Sequence, residues 1–319
     1  MSSKVLSIVG PTGVGKSNLA LQLARQCLDR GLTVEIISMD SALVYKSMDI
    51  GTAKPTHAER EEFPHHLIDI LDPRENYSAA QFASDAKRLI QEIRGRGHTP
   101  LIVGGTMLYW RAWAYGFSNL PPADPNVRDL LDQEAATIGW PAMHAKLAQI
   151  DSETAKRLKA NDSQRIQRAL EVYAITGRPL SDLFKETPTQ SGRDASDAID
   201  IEIFSLEPSD RKSLHARLEE RFDRMLEQGF IAEVEGLYQR GDLHINLPSI
   251  RAVGYRQVWE YLAGEIDFDT MKQKAYAATR QLSKRQITWL RAMNRQVIDA
   301  FNPKEIEMAT QKCLSILGA

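Results

Sequence analysis

The sequence predicts an α/β fold: a parallel sheet flanked by helices, with an all-helical stretch inserted into it. Three observations carry this reading. The short apolar runs VLSIVG (5–10), TVEIISMD (33–40) and TPLIVGG (99–105) end in turn residues or an acid and read as buried strands. Segments with apolar residues at helical spacing stand between them, and such alternation implies parallel pairing with helices on both faces. From Pro121 to near Thr187 the strand signal disappears, and helical segments follow one another between breaks such as PPADP and GWP.

With 319 residues, 43% of them hydrophobic, the chain is long enough for one large core or two smaller ones. A net charge of −2 excludes a uniformly basic surface and leaves room for a local basic face. The apolar run before Gly10 is too short for a signal segment or a membrane span, so a cytoplasmic protein is expected. Cys27 and Cys313 have no metal-like spacing and read as packing residues.

In order along the chain, SNLALQLARQCL (17–28) follows the first strand as a helix, with Leu19, Leu23 and Cys27 on one face. After the second strand, SALVYKSMDIGTAKP (41–55) has no sustained period and reads as a binding loop or a plain surface connection. A helix then starts at Ser78 as N-cap, with Phe82, Ala86, Leu89 and Ile93 inward and Gly95 and Gly97 at its end. The third strand leads into a helix beginning TMLYWRAWAYG (106–116). KETPTQSGRDASD (185–197) is polar and aperiodic and reads as an exposed loop, after which DIEIFSLEP (200–208) restores a strand. The expected organisation is a core in two parts, 1–118 and 199–319, around a helical insertion, 119–198.

Amphipathic helices follow, one with Leu214, Leu218, Phe222 and Met225 inward and a final long one over 270–293. On that last helix Arg280, Lys284, Arg291 and Arg295 form one stripe, with Leu282, Trp289 and Met293 opposite. Such a stripe is either a solvated face or a contact for a polyanion. His65 and His66, adjacent on an extended stretch, point to opposite faces, which argues against a shared metal ion.

GPTGVGKS (10–17) fits G-x-x-x-x-G-K-[ST] and lies between a strand and a helix, as a P-loop must. In such a loop the glycines let backbone N–H groups face a phosphate, Lys16 neutralises oxygens and Ser17 can ligate Mg²⁺. The sheet is therefore P-loop NTPase-like. Ligands of such sheets sit at the carboxyl ends of the strands, where Gly10, Asp40 and Thr106 should converge. Asp40 reads as metal ligand, base or turn cap. LIVGG supplies no acid of the kind that holds Mg²⁺ in phosphoryl-transfer enzymes.

Taken together, GPTGVGKS, DSALVYKSMDIGTAKP, PHHLIDI, YSAAQF, GGTMLY, NDSQRIQRALEVY, LHARLEERF, LPSIRAVGYRQ and ATRQLSKRQITWLR resemble, in order, the motifs of the bacterial tRNA dimethylallyltransferases, also called tRNA isopentenyltransferases. The chain departs from them mildly, with Gly13, Val14 and Ser17 where the family loop often has Ala, Ser and Thr. The resemblance implies that dimethylallyl diphosphate donates its five-carbon group to N6 of the adenosine 3′ of the anticodon, adenosine-37, in tRNAs reading codons that begin with U. It implies that Gly10, Pro11, Thr12, Gly13, Val14, Gly15, Lys16, Ser17, Arg217 and Arg221 bind the diphosphate, with Mg²⁺ on Ser17. Asp40 is implied as the base and Thr106 as a residue that positions the reacting groups. The implied tRNA contacts are Asp40, Ser41, Ala42, Leu43, Thr106, Arg128, the run Gln164, Arg165, Ile166, Gln167, Arg168, and the run Arg251, Ala252, Val253, Gly254, Tyr255, Arg256. The implied partner is the anticodon stem-loop, held by the helical insertion. A monomer away from any membrane is expected. A P-loop small-molecule kinase would show the same fold and loop, and an RNA-binding module switched by a nucleotide is the other competing reading. The loop recognises phosphate generally, which leaves ATP binding open.

Overall fold

The computed structural model describes residues 4–116, 120–186 and 200–318. In chain order the elements are β1 (Val5–Val9), α1 (Lys16–Leu28), β2 (Val34–Met39), α2 (His57–Glu62), β3 (His65–His66), α3 (Ala79–Gly95), β4 (Thr99–Gly104), α4 (Met107–Tyr115), then α5 (Pro125–Ile138), α6 (Trp140–Ile150), α7 (Ser152–Arg157), α8 (Ser163–Thr176) and α9 (Leu180–Glu186). They continue as β5 (Ile201–Glu207), α10 (Arg211–Glu227), α11 (Phe230–Tyr238), α12 (Tyr255–Leu262), α13 (Phe268–Leu290), β6 (Gln296–Asp299) and α14 (Pro303–Leu317). Two compact units result, one of residues 1–114 with 199–319 and one of residues 115–198.

The six strands form one parallel sheet in the order β3-β2-β4-β1-β5-β6. Alternate side chains enter cores on its two faces. Leu6, Ile8, Leu101, Val103, Phe204 and Leu206 pack on one side with α1 and α14, through Leu19, Leu23, Cys27, Cys313 and Leu317. Val5, Val9, Ile37, Met39, Ile102 and Ile203 pack on the other with α3 and α4, through Phe82, Leu89, Ile93, Trp110 and Trp113. Burying a side chain of this size contributes about 2–3 kcal/mol. Ser78 and Gln81 form the capping box that starts α3. The chain leaves β1 towards β2 through α1 on one face and leaves β4 towards β5 through α4 on the other, so the connections after these neighbouring strands part to opposite faces of the sheet. The turns that follow bound a crevice at the carboxyl ends of β1 and β4.

A third cluster joins α10, α11, α12 and α13 and includes Val44, Tyr45 and Met48 from the irregular segment after β2. The segment is therefore anchored by side chains of its own. The helical unit has its own core of Leu131, Ala135, Met143, Leu147, Ile166, Leu170 and Val172.

Two expectations need correction. The helix over 270–293 is not the last element, because β6 extends the sheet and α14 packs beside α1. Nor is its inner face Leu282, Trp289 and Met293: the buried residues of α13 are Met271, Ala275, Tyr276, Ser283 and Leu290, while Trp289 is 40% exposed. The small residues Ala275 and Ser283 are part of that buried stripe. The helix ends at Leu290, so Arg295 leaves the basic stripe and pairs with Glu207 at the end of β5, 2.6 Å away. Arg280 pairs with Glu219 on α10. Of the expected loop 185–198, Lys185 and Glu186 still belong to α9, and the rest lies outside the described residues.

Candidate active site

The loop after β1 is the base of the site. Gly13 (φ 83°) and Gly15 (φ 93°) adopt left-handed backbone, and a Cβ on Gly13 would lie 2.6 Å from the Leu218 side chain. Glycine takes up this left-handed backbone without the strain a Cβ would add. Lys16 is the first residue of α1 and donates to the carbonyl of Pro11 at 2.8 Å. Ser17 follows it and is exposed to solvent.

From α10, a turn apart, come Arg217 and Arg221. The Arg217 guanidinium would lie 3.9 Å from a Cβ on Gly15 and covers the ring of Phe301 at 5.9 Å. Neither arginine has a carboxylate within ion-pair distance among the described residues. Burial pulls the Lys16 ammonium down to about 8; the Asp40 carboxylate opposes that fall, and Arg221 adds to it. Burial also lowers Arg221, again opposed by Asp40 and reinforced by Arg217 and Arg224. Cations thus crowd around one carboxylate at a helix N-terminus, an arrangement built for a multiply charged anion.

Asp40 ends β2. Its Oδ1 accepts the N–H of Ala42 at 2.9 Å, so the turn-cap reading holds, while Oδ2 accepts no hydrogen bond among the described residues. Next to it the Ser41 N–H donates to Thr106 Oγ1 at 3.0 Å, and Thr106 N–H donates to the Met39 carbonyl at 3.2 Å. Gly104 makes this possible, because a Cβ there would sit 2.0 Å from the Met39 carbonyl oxygen. The P-loop, the Asp40 turn and the Gly104-Gly105-Thr106 turn therefore meet at the carboxyl ends of β1, β2 and β4.

A family model described as IPP transferase matches residues 43–293. The chain belongs to this family. A protein of Polynucleobacter necessarius subsp. necessarius (strain STIR1) named tRNA dimethylallyltransferase is 60% identical over 316 residues, 98% of this chain and 94% of that one. The full-length tRNA isopentenylpyrophosphate transferase of Bacillus halodurans has a similar crystal structure, with TM-score 0.69, 34% identity and coverage of 99% and 97% of the two chains. A eukaryotic dimethylallyltransferase solved acting on tRNA gives a TM-score of 0.78 at 27% identity, over 98% of this chain and 77% of that one. The IPP transferase family is thus an enzyme family of prenyltransferases, and the six-stranded parallel sheet is the fold it shares with these structures.

Other positions implied by the IPP transferase motifs fall in two places. In the first unit, Arg251 and Arg256 are exposed, Gly254 and Tyr255 are buried, and Ala252 and Val253 lie between these extremes. Arg256 pairs with Glu260 at 3.1 Å. Ser41 is exposed, with Ala42 and Leu43 half-buried. In the helical unit, Ile166 is fully buried, so its side chain serves that unit's core, while Gln164 and Arg165 are exposed. Arg165 pairs with Asp162 at 3.1 Å and Gln167 donates to Asp132 at 2.7 Å. Arg128 and Arg168 both hold the buried Glu171, at 2.8 and 2.6 Å, and Arg168 also donates to the Pro121 carbonyl. These two guanidiniums hold Glu171 below the ordinary carboxylate range against the burial that raises it.

Two residues that tie these loops to the helices have no counterpart in the sequence reading. Glu233 on α11 accepts the N–H groups of Asp49, Ile50 and Gly51 at 2.9, 2.7 and 3.2 Å, and the Tyr255 hydroxyl. Gln286 on α13 accepts the Thr12 N–H at 2.9 Å and donates to the Gly105 carbonyl at 2.9 Å. Gln286 stands in the matching run ATRQLSKRQITWLR, an uncharged amide between Arg285 and Ile287 that the structure half-buries.

Among the described residues no group of three or more His, Cys, Asp or Glu side chains is placed to hold a metal ion. Ser17 and Asp40 offer single oxygens beside the anion cradle. Mg²⁺ binds in this way in many phosphate sites, taking most of its ligands from phosphate and water, so these residues fit it.

Proposed function

We propose that this chain transfers the dimethylallyl group from dimethylallyl diphosphate to N6 of adenosine-37 in tRNA, releasing diphosphate. The observation that carries the reading is the surplus of positive charge, from Lys16, Arg217, Arg221 and the N-terminus of α1, beside one carboxylate with a free oxygen. The P-loop N–H groups hold the diphosphate and Lys16 and the two arginines take up the charge that grows as it leaves. The N6 lone pair attacks the allylic carbon while the C–O bond breaks, its electron pair passing to the diphosphate oxygen. Adenine N6 is a poor nucleophile, so loss of its proton matters, and Oδ2 of Asp40 accepts that proton. Bound at Ser17, Mg²⁺ would add further charge against the diphosphate. Thr106, which fixes the Ser41 backbone, orients the Asp40 turn.

The base must leave its stack in the anticodon loop to reach Asp40. Exposed Arg251, Arg256, Gln164 and Arg165, with Ser41 and Leu43 at the site's edge, contact the RNA, and Arg128 with Arg168 holds the helical grip together. No acid ends β4, where Gly104 and Gly105 stand, which favours prenyl transfer over phosphoryl transfer. The experiment is incubation with tRNA and labelled dimethylallyl diphosphate. Label in the RNA is the expected result; phosphorylation of a small molecule from ATP, with unlabelled RNA, would replace the proposal by a kinase.

A further inference from the structure

The two halves of the proposed reaction sit on different loops. Diphosphate belongs to the loop after β1, whereas the proton acceptor follows β2 and is steadied through Thr106, in the loop after β4. β1 and β4 are hydrogen-bonded neighbours, but their register ends at Val9 and Gly104, and the loops beyond it are no longer held by strand pairing. Something outside the sheet must fix their separation. Gln286 is placed to do so: its Oε1 accepts from Thr12 N–H in one loop, and its Nε2 donates to the Gly105 carbonyl in the other, both at 2.9 Å.

The fit is close. A Cβ on Gly105 would lie 2.5 Å from Gln286 Nε2 and 3.1 Å from the Gly10 carbonyl oxygen, so the absence of a side chain at 105 admits the amide. A carboxamide is the one side-chain group of this length that accepts on one atom and donates on the other. Its neighbours on α13, Ile287 and Leu290, pack into the sheet's two cores and hold the helix in place. A continuous path then runs from Thr12 through Gln286 to Gly105, on to Thr106 and, through its Oγ1, to Ser41 beside Asp40.

We propose that Gln286 is a positioning residue that sets the distance between the diphosphate cradle and the Asp40 turn. It touches neither reacting atom. The proposal rests on the prenyl-transfer reading, and the test separates the two. Gln286→Leu removes both hydrogen bonds; Gln286→Glu keeps the acceptor for Thr12 and loses the donor for Gly105. Transfer is measured with full-length protein, dimethylallyl diphosphate and tRNA, normalised to the number of sites that bind inorganic pyrophosphate. Both variants are expected to lose kcat by on the order of 10–100-fold, since a misplacement of about 1 Å costs that much, while tRNA affinity stays within about threefold of wild type. A merely structural amide would lower the number of competent sites and leave kcat per site unchanged. Wild-type kcat per site in either folded variant overturns the proposal, and Gln286→Glu decides if the leucine variant does not fold. Wild-type protein that binds pyrophosphate but prenylates no tRNA would overturn the prenyl-transfer reading instead.

Discussion

Lys16 is charged at neutral pH, yet burial holds it near 8, so its charge is lost at a pH where most lysines keep theirs. The anion binds the protonated form. Binding strength from this residue is therefore complete below pH 8 and falls as pH rises through it, by at most about tenfold per pH unit. Calorimetry with pyrophosphate from pH 7 to 10 should show that fall in wild type relative to Lys16→Met; parallel curves would remove Lys16 from the cradle. For Asp40, replacement by Asn keeps the turn and removes the base. Transfer should drop by about 10²–10⁴-fold with tRNA binding preserved, and undiminished transfer would exclude it as proton acceptor. Residues of this kind were legible because their chemistry is local: GPTGVGKS carries its glycines, lysine and helix start within eight positions. Asp40 was ambiguous for an equally physical reason, since one oxygen caps a turn and the other is free.

At the scale of elements, the irregular segment 41–55 owes its shape to a side chain far along the chain. Glu233 gathers three consecutive N–H groups, and a Cβ on Gly51 would meet the Phe230 ring at 2.1 Å. Glu233→Ala leaves those donors without their partner and should cost about 1–3 kcal/mol in urea unfolding. An unchanged midpoint would show that the segment is held by Val44, Tyr45 and Met48 alone. The strands β1, β2, β4 and β5 were legible as short, mostly apolar runs, and the helices α1, α3 and α10 because each buries a regular stripe. β6 was not, having only Ile298 buried among exposed or half-buried neighbours, a pattern too short to separate from a turn. Helix α14 did carry a signal, with Ile306, Thr310, Cys313 and Leu317 at helical steps after Asn302 and Pro303. On α13, Ser283 occupies a buried position that hydrophobicity does not mark, so the inner face was misplaced.

Across the whole molecule, what sequence reading lacked was the pairing of distant positions: Gln286 with Thr12, Glu233 with Asp49, and Glu35 with its three partners. Glu35 lies near the start of β2, away from the site, buried and held by Arg96, His66 and His98 at 2.8, 2.6 and 2.6 Å. Burial would raise its carboxyl, but the hydrogen bonds prevail and hold it at about 2. A carboxyl kept that far below its ordinary 4.5 contributes about 3 kcal/mol at neutral pH. That contribution is present above pH 4.5 and is lost as pH falls towards 2. Glu35→Gln should therefore be less stable than wild type at pH 7 and nearly equal to it at pH 2; a constant gap in urea unfolding would contradict the linkage.

Arginines implied in RNA contact are spread over both units, so tRNA affinity should fall at least about tenfold between 50 and 200 mM salt. A flat response would remove phosphates from the contact set. Prenyl transfer to adenosine is the activity on which all these residue roles depend. Mass analysis of nucleosides in tRNA from cells lacking this protein tests it most directly: N6-dimethylallyladenosine and its derivatives should disappear, and their undiminished presence would contradict it.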